Sequence, residues 1–429
     1  MTEPTRSYLL ATWDGGGNVA PQLAVARRLL ERGHRVHVLA DPTVCDRAQA
    51  VGAGFSPWTT APHRRTHDPR DEVLRDWEVS SPIAMLRNVR DRFMTGPAAA
   101  FAADTRAVVD VVDPDVVLVD SLILGAMAGA QGAGRPVAVL VPNIWMLPTP
   151  GCPTIGPGFA PARTFAGRRR DDLMRLMTNR IFQKDRSAFN AVRAQHGLTP
   201  LASLWDQVLG ADGIYVLTSP TFDFAAPTLG EEVTYVGPVL DEPDPAGEWT
   251  SPLVGDPDDP LVLVGFSTTF QDQAAQLRRV VEALSRLPVR GVVTLGGAVE
   301  ADEVPAAPNV AVVPSTPHGP LLRDAALAIS HCGHGTTMKA LAAGVPLVCL
   351  PMGRDQNDTA ARVVHAGAGV RLPPRAGAPR IAAAVERVLA DDTYRYAARR
   401  LAESIAAETR TDDLIARLEA LGRHRTATA

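Results

Sequence analysis

Short, continuous apolar runs alternate with stretches of helical apolar spacing along most of the chain. In the first half the runs are YLLAT from Tyr8, RVHVLA from Arg35, VVLVD ending at Asp120 and PVAVLV ending at Val141. Helical patterns lie between them: one from about Pro21 to Glu31, one near Thr43, and one between VVLVD and PVAVLV. An apolar run bounded by turn residues suits a strand buried on both faces, and strand–helix alternation predicts a parallel α/β sheet. A second series opens at LVLVGF from Leu261 and continues through AALAIS and VPLVCLP. The segment before it, GPVLDEPDPAGEWTSPLVGDPDDP, is rich in Pro, Gly and Asp and reads as an exposed linker. The expected organisation is a Rossmann-like domain over 1–238, a linker over 239–259 and a second Rossmann-like domain over 260–390. Helices are expected over 391–429, where apolar spacing is helical behind a capping Asp391. No repeat of 20 to 50 residues is visible, which excludes a solenoid.

Open α/β sheets bind ligands beyond the carboxyl ends of their strands. In the second half that position carries HCGHGTTMKALAAGVPLVCLPMGRDQ, from His331 to Gln356. AALAIS ends at Ser330, and Gly333 and Gly335 sit where this strand gives way to a helix. Glycine there lets backbone approach a ligand, and a helix start offers N–H groups and a positive dipole end to an anion, here a diphosphate. Thr336 adds a hydroxyl in the first turn, and His331 can donate a ring N–H to a phosphate oxygen. Neither the GKS/GKT phosphate loop nor GxGxxG is present. After Gly344 and VPLVCLP, the next loop delivers Asp355 and Gln356, a charged acceptor and an amide suited to vicinal hydroxyls.

This segment resembles the donor-binding signature of inverting glycosyltransferases of the GT-B fold. The likeness is to bacterial natural-product enzymes related to macrolide, enediyne and flavonoid glycosyltransferases, in the UDP-glycosyltransferase-like family 1, and it covers almost the whole chain. Lys339 stands where that family usually has Glu, and Cys332 where Gly is usual. The resemblance implies two Rossmann-like domains with facing clefts and a C-terminal helix returning to the N-terminal domain. It also implies that Thr268, in VLVGFSTTFQDQ, reaches phosphate, and that Pro317 and His318, in STPHGPLL, flank the nucleobase. The expected co-substrate is a UDP- or dTDP-sugar, with no cofactor and no metal, since the resembled family generally does without a divalent metal. The partners implied are the nucleotide sugar and a small hydrophobic acceptor, with a homodimer or helper protein left open.

Opposite this site, Gly15 to Gly17 follow the first strand and precede Pro21, in a loop where an acceptor's base should sit. Most relatives read GHxxP there, with His deprotonating the acceptor hydroxyl; this chain reads GNVAP, with Asn18 at the His position. An amide takes up no proton near neutral pH, whereas a placed base contributes about 10²–10⁴ in rate. Three substitutes present themselves. Asp120, matching the Asp that orients the usual His, acts directly or through water held by Asn18. Asp14 offers a second carboxylate, or else forms an Asx turn within its own loop. The third is an acceptor that loses its proton readily, such as a phenol, enol or electron-rich aromatic carbon, which admits O- or C-glycosylation. The segment from about Thr60 to Arg92 and the Pro/Gly-rich Val141 to Pro161, with Trp145 and Met146, read as loops framing an apolar, possibly aromatic aglycone site.

Composition narrows the alternatives. A net charge of −4 with 21% charged residues argues against nucleic-acid binding. Four cysteines without CxxC spacing are too few for a disulfide scaffold and read as reduced thiols in a cytoplasm. The start MTEPTRSYLL lacks a secretory signal, and no run approaches the roughly 18 apolar residues of a membrane helix, so a soluble, cytoplasmic protein is expected. His331, Cys332 and His334 lie too close together for a tetrahedral metal site. His34 and His37 read as surface or capping residues, and His63 and His67 as solvated loop residues. The run RTFAGRRRDDLMRLMTNR reads as a solvated helix face whose apolar side walls the acceptor pocket. The reading is an inverting hexosyltransferase of antibiotic or other secondary metabolism. A nucleotide-sugar epimerase, or a catalytically impaired nucleotide-binding partner of an active transferase, are the alternatives.

Overall fold

The computed structural model describes residues 5–79, 81–241, 251–411 and 413–422. Two parallel sheets organise it. The first runs in the order Gly54–Pro57, Arg35–Ala40, Ser7–Ala11, Val116–Asp120, Val137–Val141, Gly213–Val216 and Val233–Tyr235. The second runs Val310–Val313, Arg290–Thr294, Leu261–Gly265, Ala325–Ser330, Leu347–Cys349 and Gly369–Arg371. Every strand pair is parallel. The central strands Ser7–Ala11, Val116–Asp120, Val137–Val141 and Leu261–Gly265 are buried at every residue, which is why their sequences are uninterrupted apolar runs. The edge strands Gly54–Pro57, Val233–Tyr235 and Gly369–Arg371 are short and partly exposed, and their sequences carry no comparable run.

Strand order reverses once in each sheet: between Ser7–Ala11 and Val116–Asp120 in the first, and between Leu261–Gly265 and Ala325–Ser330 in the second. These are the switch points where open α/β sheets form crevices. The first crevice receives the loop Trp13–Asn18 and residues Ser121–Leu122, and the second receives the loop after Gly265 and the turn from His331 to Thr336. All of these residues but Asp14 and Cys332 line one cavity, so the crevices face each other.

The helix expected from Pro21 is Val19–Glu31, and the one near Thr43 is a 3₁₀ turn, Pro42–Val44, running into Cys45–Ala50. Leu124–Gly132 lies against Ala98–Val112 so closely that a Cβ on Gly125 or Gly129 would strike the carbonyls of Ala98 and Ala102. At the C-terminal end, Asp391 caps Asp392–Arg410, its side chain accepting the Thr393 N–H at 3.0 Å. Near that helix's end Glu408 accepts from Ser219 and Thr221 of the first half, at 3.1 and 2.9 Å. Leu414–Leu421 then buries Leu414 and Leu418 in a core shared with Leu10 and Leu29. Part of the predicted linker (242–250) and of the predicted tail (412 and 423–429) lies outside the described residues.

This returning helix corrects one expectation. His34 is buried, 6% exposed, because Glu419 comes back over it: its Nε2 lies 3.0 Å from the Glu419 carboxylate and its Nδ1 accepts the Arg6 N–H. A proton on Nε2 satisfies both bonds with a neutral ring. The partner lies 385 residues away, out of reach of any local pattern. Among the described residues no helix is long and apolar enough to cross a membrane, and no group of three His, Cys, Asp or Glu is placed to hold a metal ion.

Candidate active site

A cavity of about 550 Å³ lies between the two halves and is walled by both. Its C-terminal wall is built from strand ends and a helix start. The helix His334–Ala342 begins at Gly333 without a side-chain cap, and Gly333, His334, Gly335 and Thr336 all line the cavity, so the positive end of the helix faces it. A Cβ on Gly333 would lie 2.5 Å from His331 Nε2, which reserves that position for glycine. Cys332 adopts φ 67°, a left-handed conformation that costs a non-glycine residue about 1–2 kcal/mol and accounts for the Gly usual at this position. Burial pushes the His331 pKa down to about 4, leaving a neutral ring near pH 7 whose buried Nδ1 has no partner. Its ring stacks on Phe266 at 5.8 Å.

His334 turns away from its neighbours in sequence. Its Nε2 lies 2.8 Å from Thr218 Oγ1 in the N-terminal half, tying the helix start across the cleft. Of the residues assigned to the nucleobase, His318 lines the cavity, with Nε2 3.3 Å from Thr294 Oγ1, while Pro317 sits outside the lining at the N-cap of His318–Asp324. Thr268 is an exposed member of the wall. Asp355 and Gln356 both line it, but the Gln356 amide is largely engaged: Oε1 accepts the N–H groups of Met352 (2.8 Å) and Gly353 (3.0 Å), and Nε2 donates to Gln271 at 2.9 Å.

Two further residues belong here that motif reading passed over. Gln271 is 6% exposed, lines the cavity and has an unpartnered Nε2. Arg354 takes a left-handed φ of 51° and crosses the cleft, its Nη1 donating to the Gly15 carbonyl at 2.9 Å and to Thr269 Oγ1 at 3.2 Å. Both lie inside the quoted segments STTFQDQ and GRDQ; a charged side chain next to the sugar loop was the available signal.

The N-terminal wall is apolar. Leu74, Met85, Leu86 and Val89 come from the 60–92 region, Trp145 and Met146 from the Pro-rich loop, and Thr178 and Phe182 from the Arg-rich helix Phe165–Gln183. Trp145 is held by its N–H to Asp223 (2.7 Å) and its indole N–H to Thr149 (2.9 Å). Asp223 also receives a buried salt bridge from Arg362 of the other half at 2.7 Å, which couples the apolar wall to the C-terminal half.

The side chains of Asp14 and Asn18 in the loop between these walls are engaged in hydrogen bonds. Gly16 has φ 85°, and a Cβ there would lie 2.8 Å from Thr268 and Thr269 of the opposite half. Asn18 spends its amide internally: Nδ2 donates to the Trp13 carbonyl (2.9 Å) and to Asp120 Oδ2 (3.1 Å), and Oδ1 accepts the Gly15 N–H (3.0 Å). Asp120 also accepts from Gln22 Nε2 (2.7 Å) and the Leu122 N–H (3.1 Å). Burial raises the Asp120 pKa against these hydrogen bonds. The carboxylate is 1% exposed; Asn18 and Ser121 line the cavity and Asp120 does not. Asp14 closes an Asx turn on the Gly16 N–H (3.1 Å) and pairs with Thr43 (2.7 Å) and Arg64 (3.4 Å), likewise behind the cavity wall. His63 and His67 do not line it.

Comparison with known proteins agrees with this architecture. Residues 278–421 match the family described as Erythromycin biosynthesis protein CIII-like, C-terminal domain. The chain is 30% identical over 425 residues to 4'-demethylrebeccamycin synthase of Lentzea aerocolonigenes, covering 96% of this chain and 99% of that one. It is 29% identical to demethyllactenocin mycarosyltransferase of Streptomyces fradiae, covering 88% and 78%. Among solved structures, the glycotransferase of kitacinnamycin aligns with a TM-score of 0.72 at 25% identity over 96% and 99% of the two chains. The calicheamicin glycosyltransferase CalG4 aligns with a TM-score of 0.74 at 24% identity over 97% and 98%. By sequence over its full length and by fold, the chain belongs to the GT-B glycosyltransferases of natural-product biosynthesis.

Proposed function

We propose that the chain transfers a hexose or deoxyhexose from a UDP- or dTDP-sugar to a hydrophobic, aromatic or polyketide acceptor, with inversion at the anomeric carbon. The observation that carries this reading is the single cavity with two unlike walls: an anion-receiving helix start on one side and apolar side chains on the other. A diphosphate seated at Gly333 to Thr336 puts its sugar toward Arg354, Asp355 and Gln356, midway to the apolar wall. An acceptor on that wall then meets the anomeric carbon from the face opposite the diphosphate, the geometry of a single displacement.

In this reaction the chain's largest contribution is to the leaving group. The helix dipole, the Thr336 hydroxyl and the Arg354 guanidinium stabilise charge as it develops on the departing diphosphate. His331 is neutral near pH 7 and serves as a hydrogen-bond donor, so its contribution does not require a protonated ring. The nucleotide sugar is a co-substrate, and no other cofactor is required by the step. Calorimetric titration with UDP and with deoxythymidine diphosphate tests the donor half without any guess about the aglycone. Micromolar binding of one of them, weakened at least tenfold by Gly333→Val, is expected; failure of both to bind overturns the reading.

A further inference from the structure

We propose that the acceptor reacts as its own anion, a phenolate, enolate or deprotonated aromatic N–H, received by the Ser121 hydroxyl and the first turn of the Val19–Glu31 helix, with no side chain of the cavity acting as its general base. The inference rests on the transferase reading and specifies its acceptor. It starts from the saturation of the loop. Asn18, which stands at the reaction centre, uses both amide protons and its oxygen within the protein. Asp120 receives three donors and is screened from the cavity by Asn18. Asp14 is occupied by Gly16, Thr43 and Arg64.

The remaining titratable groups of the wall do not take the role. On the N-terminal side these are Arg47, Cys152 and Asp241 among the described residues. Asp241 is paired with Arg28 at 2.9 Å, Arg47 carries no basic lone pair near neutral pH, and the Cys152 thiol is pushed up by burial and directed to the Phe224 carbonyl. On the donor side, His318 is turned to Thr294 and His334 to Thr218, while His331 is held at the diphosphate turn, stacked on Phe266 with its Nε2 beside Gly333. Asp355 lies beside Gln356 in the loop facing the sugar, and Lys339, Arg354 and Arg362 are cations.

The same wall is suited to an anion. Asn18 occupies the N-cap of a 13-residue helix, and Gly16, Gly17, Asn18 and Ala20 line the cavity, so the positive end of the helix faces the acceptor. Ser121 independently points to a ligand: it is 2% exposed, lines the cavity beside Asn18, and its Oγ has no hydrogen-bond partner. In the step, the acceptor gives its proton to water. Its lone pair then forms the bond to the anomeric carbon as the carbon–oxygen bond to the diphosphate breaks, and that electron pair and the negative charge leave with the nucleotide diphosphate.

Initial transfer rates against pH test this, using the full chain, UDP-glucose and deoxythymidine diphosphate glucose as donors, and a set of para-substituted phenols of graded acidity with benzyl alcohol beside them. The rising limb should move about one pH unit per unit of phenol pKa, and benzyl alcohol should be slower by roughly 10²-fold or more, the usual contribution of a missing base. Ser121→Ala should move the limb for a given phenol to higher pH and cut its rate by about three- to tenfold. Asn18→His should add a limb near pH 6.5 that is the same for every acceptor. A limb fixed in pH whichever phenol is used, or comparable transfer to benzyl alcohol, overturns the inference while leaving a glycosyltransferase. No transfer to any acceptor from either donor overturns the transferase reading and this inference with it.

Discussion

The two walls of the cleft are built by different physical means. The C-terminal wall is built around one contiguous stretch, His331 to Gln356, to which Thr268, Gln271 and His318 are added, and backbone conformation and a helix start shape most of it. The acceptor wall is assembled from side chains as far apart in sequence as Trp13 and Phe182, each held by packing and by bonds to distant residues. An anion can be bound by backbone N–H groups, so its site leaves a signature of glycines and turns. An apolar aglycone is bound by surface, which many sequences can supply.

The predictions set the two walls against each other. Asp223→Ala should have the largest effect. It leaves the buried Arg362 guanidinium unpaired and frees Trp145, so thermal unfolding should show a loss of about 3–5 kcal/mol and both walls should be impaired. Acid should come next. The folded-state pKa of His331 is about 4, below its unfolded value of 6.5, so its contribution is complete above pH 6.5 and is lost as pH falls toward 4. His334, also pushed down to about 4 by burial, acts in the same direction, whereas Asp41 and Asp358, raised to about 6 by burial, gain stability as pH falls, so the His331 part is read as the difference between the unaltered chain and His331→Gln. A His331→Gln variant whose melting temperature falls as steeply from pH 6.5 to 4 as that of the unaltered chain would contradict the depressed value.

Gly16→Val strikes the seam between the walls. Its positive φ and its contact with Thr268 and Thr269 should make transfer fall by about 10²-fold and weaken UDP or deoxythymidine diphosphate binding as well, in calorimetry. Arg354→Ala should act on both, lowering kcat/KM by roughly tenfold and weakening nucleotide binding in calorimetry, because one side chain serves Gly15 and the donor loop. Met85→Ala should be the mildest, raising the acceptor KM about fivefold with nucleotide affinity unchanged. An equal loss of nucleotide affinity in Met85→Ala would break the division altogether.

Legibility follows the same division. The central strands were readable because burial on both faces demands uninterrupted apolar runs, as in VVLVD and LVLVG. The edge strand Gly369–Arg371 and the small-residue contact at Gly125 and Gly129 were not, since their reasons lie in neighbours brought close only by folding. The donor segment could be read as an anion site, yet not that Gln356 spends its amide on Met352, Gly353 and Gln271. Arg354 stands in plain view in GRDQ, but its reach to Gly15 spans 339 residues.

Sequence alone determined the α/β class, the two-sheet architecture and the glycine turn that opens the His334–Ala342 helix, because each is written in local periodicity or in glycines that a backbone conformation requires. Tertiary structure alone decided that His34 is buried beneath Glu419, that Asp120 sits behind Asn18 instead of in the cleft, and that Ser121, in the cavity lining, is left with an unpartnered hydroxyl. Those outcomes depend on which distant donor satisfies which acceptor, and hydrogen-bond satisfaction in a buried network is settled only when the whole chain has closed around it.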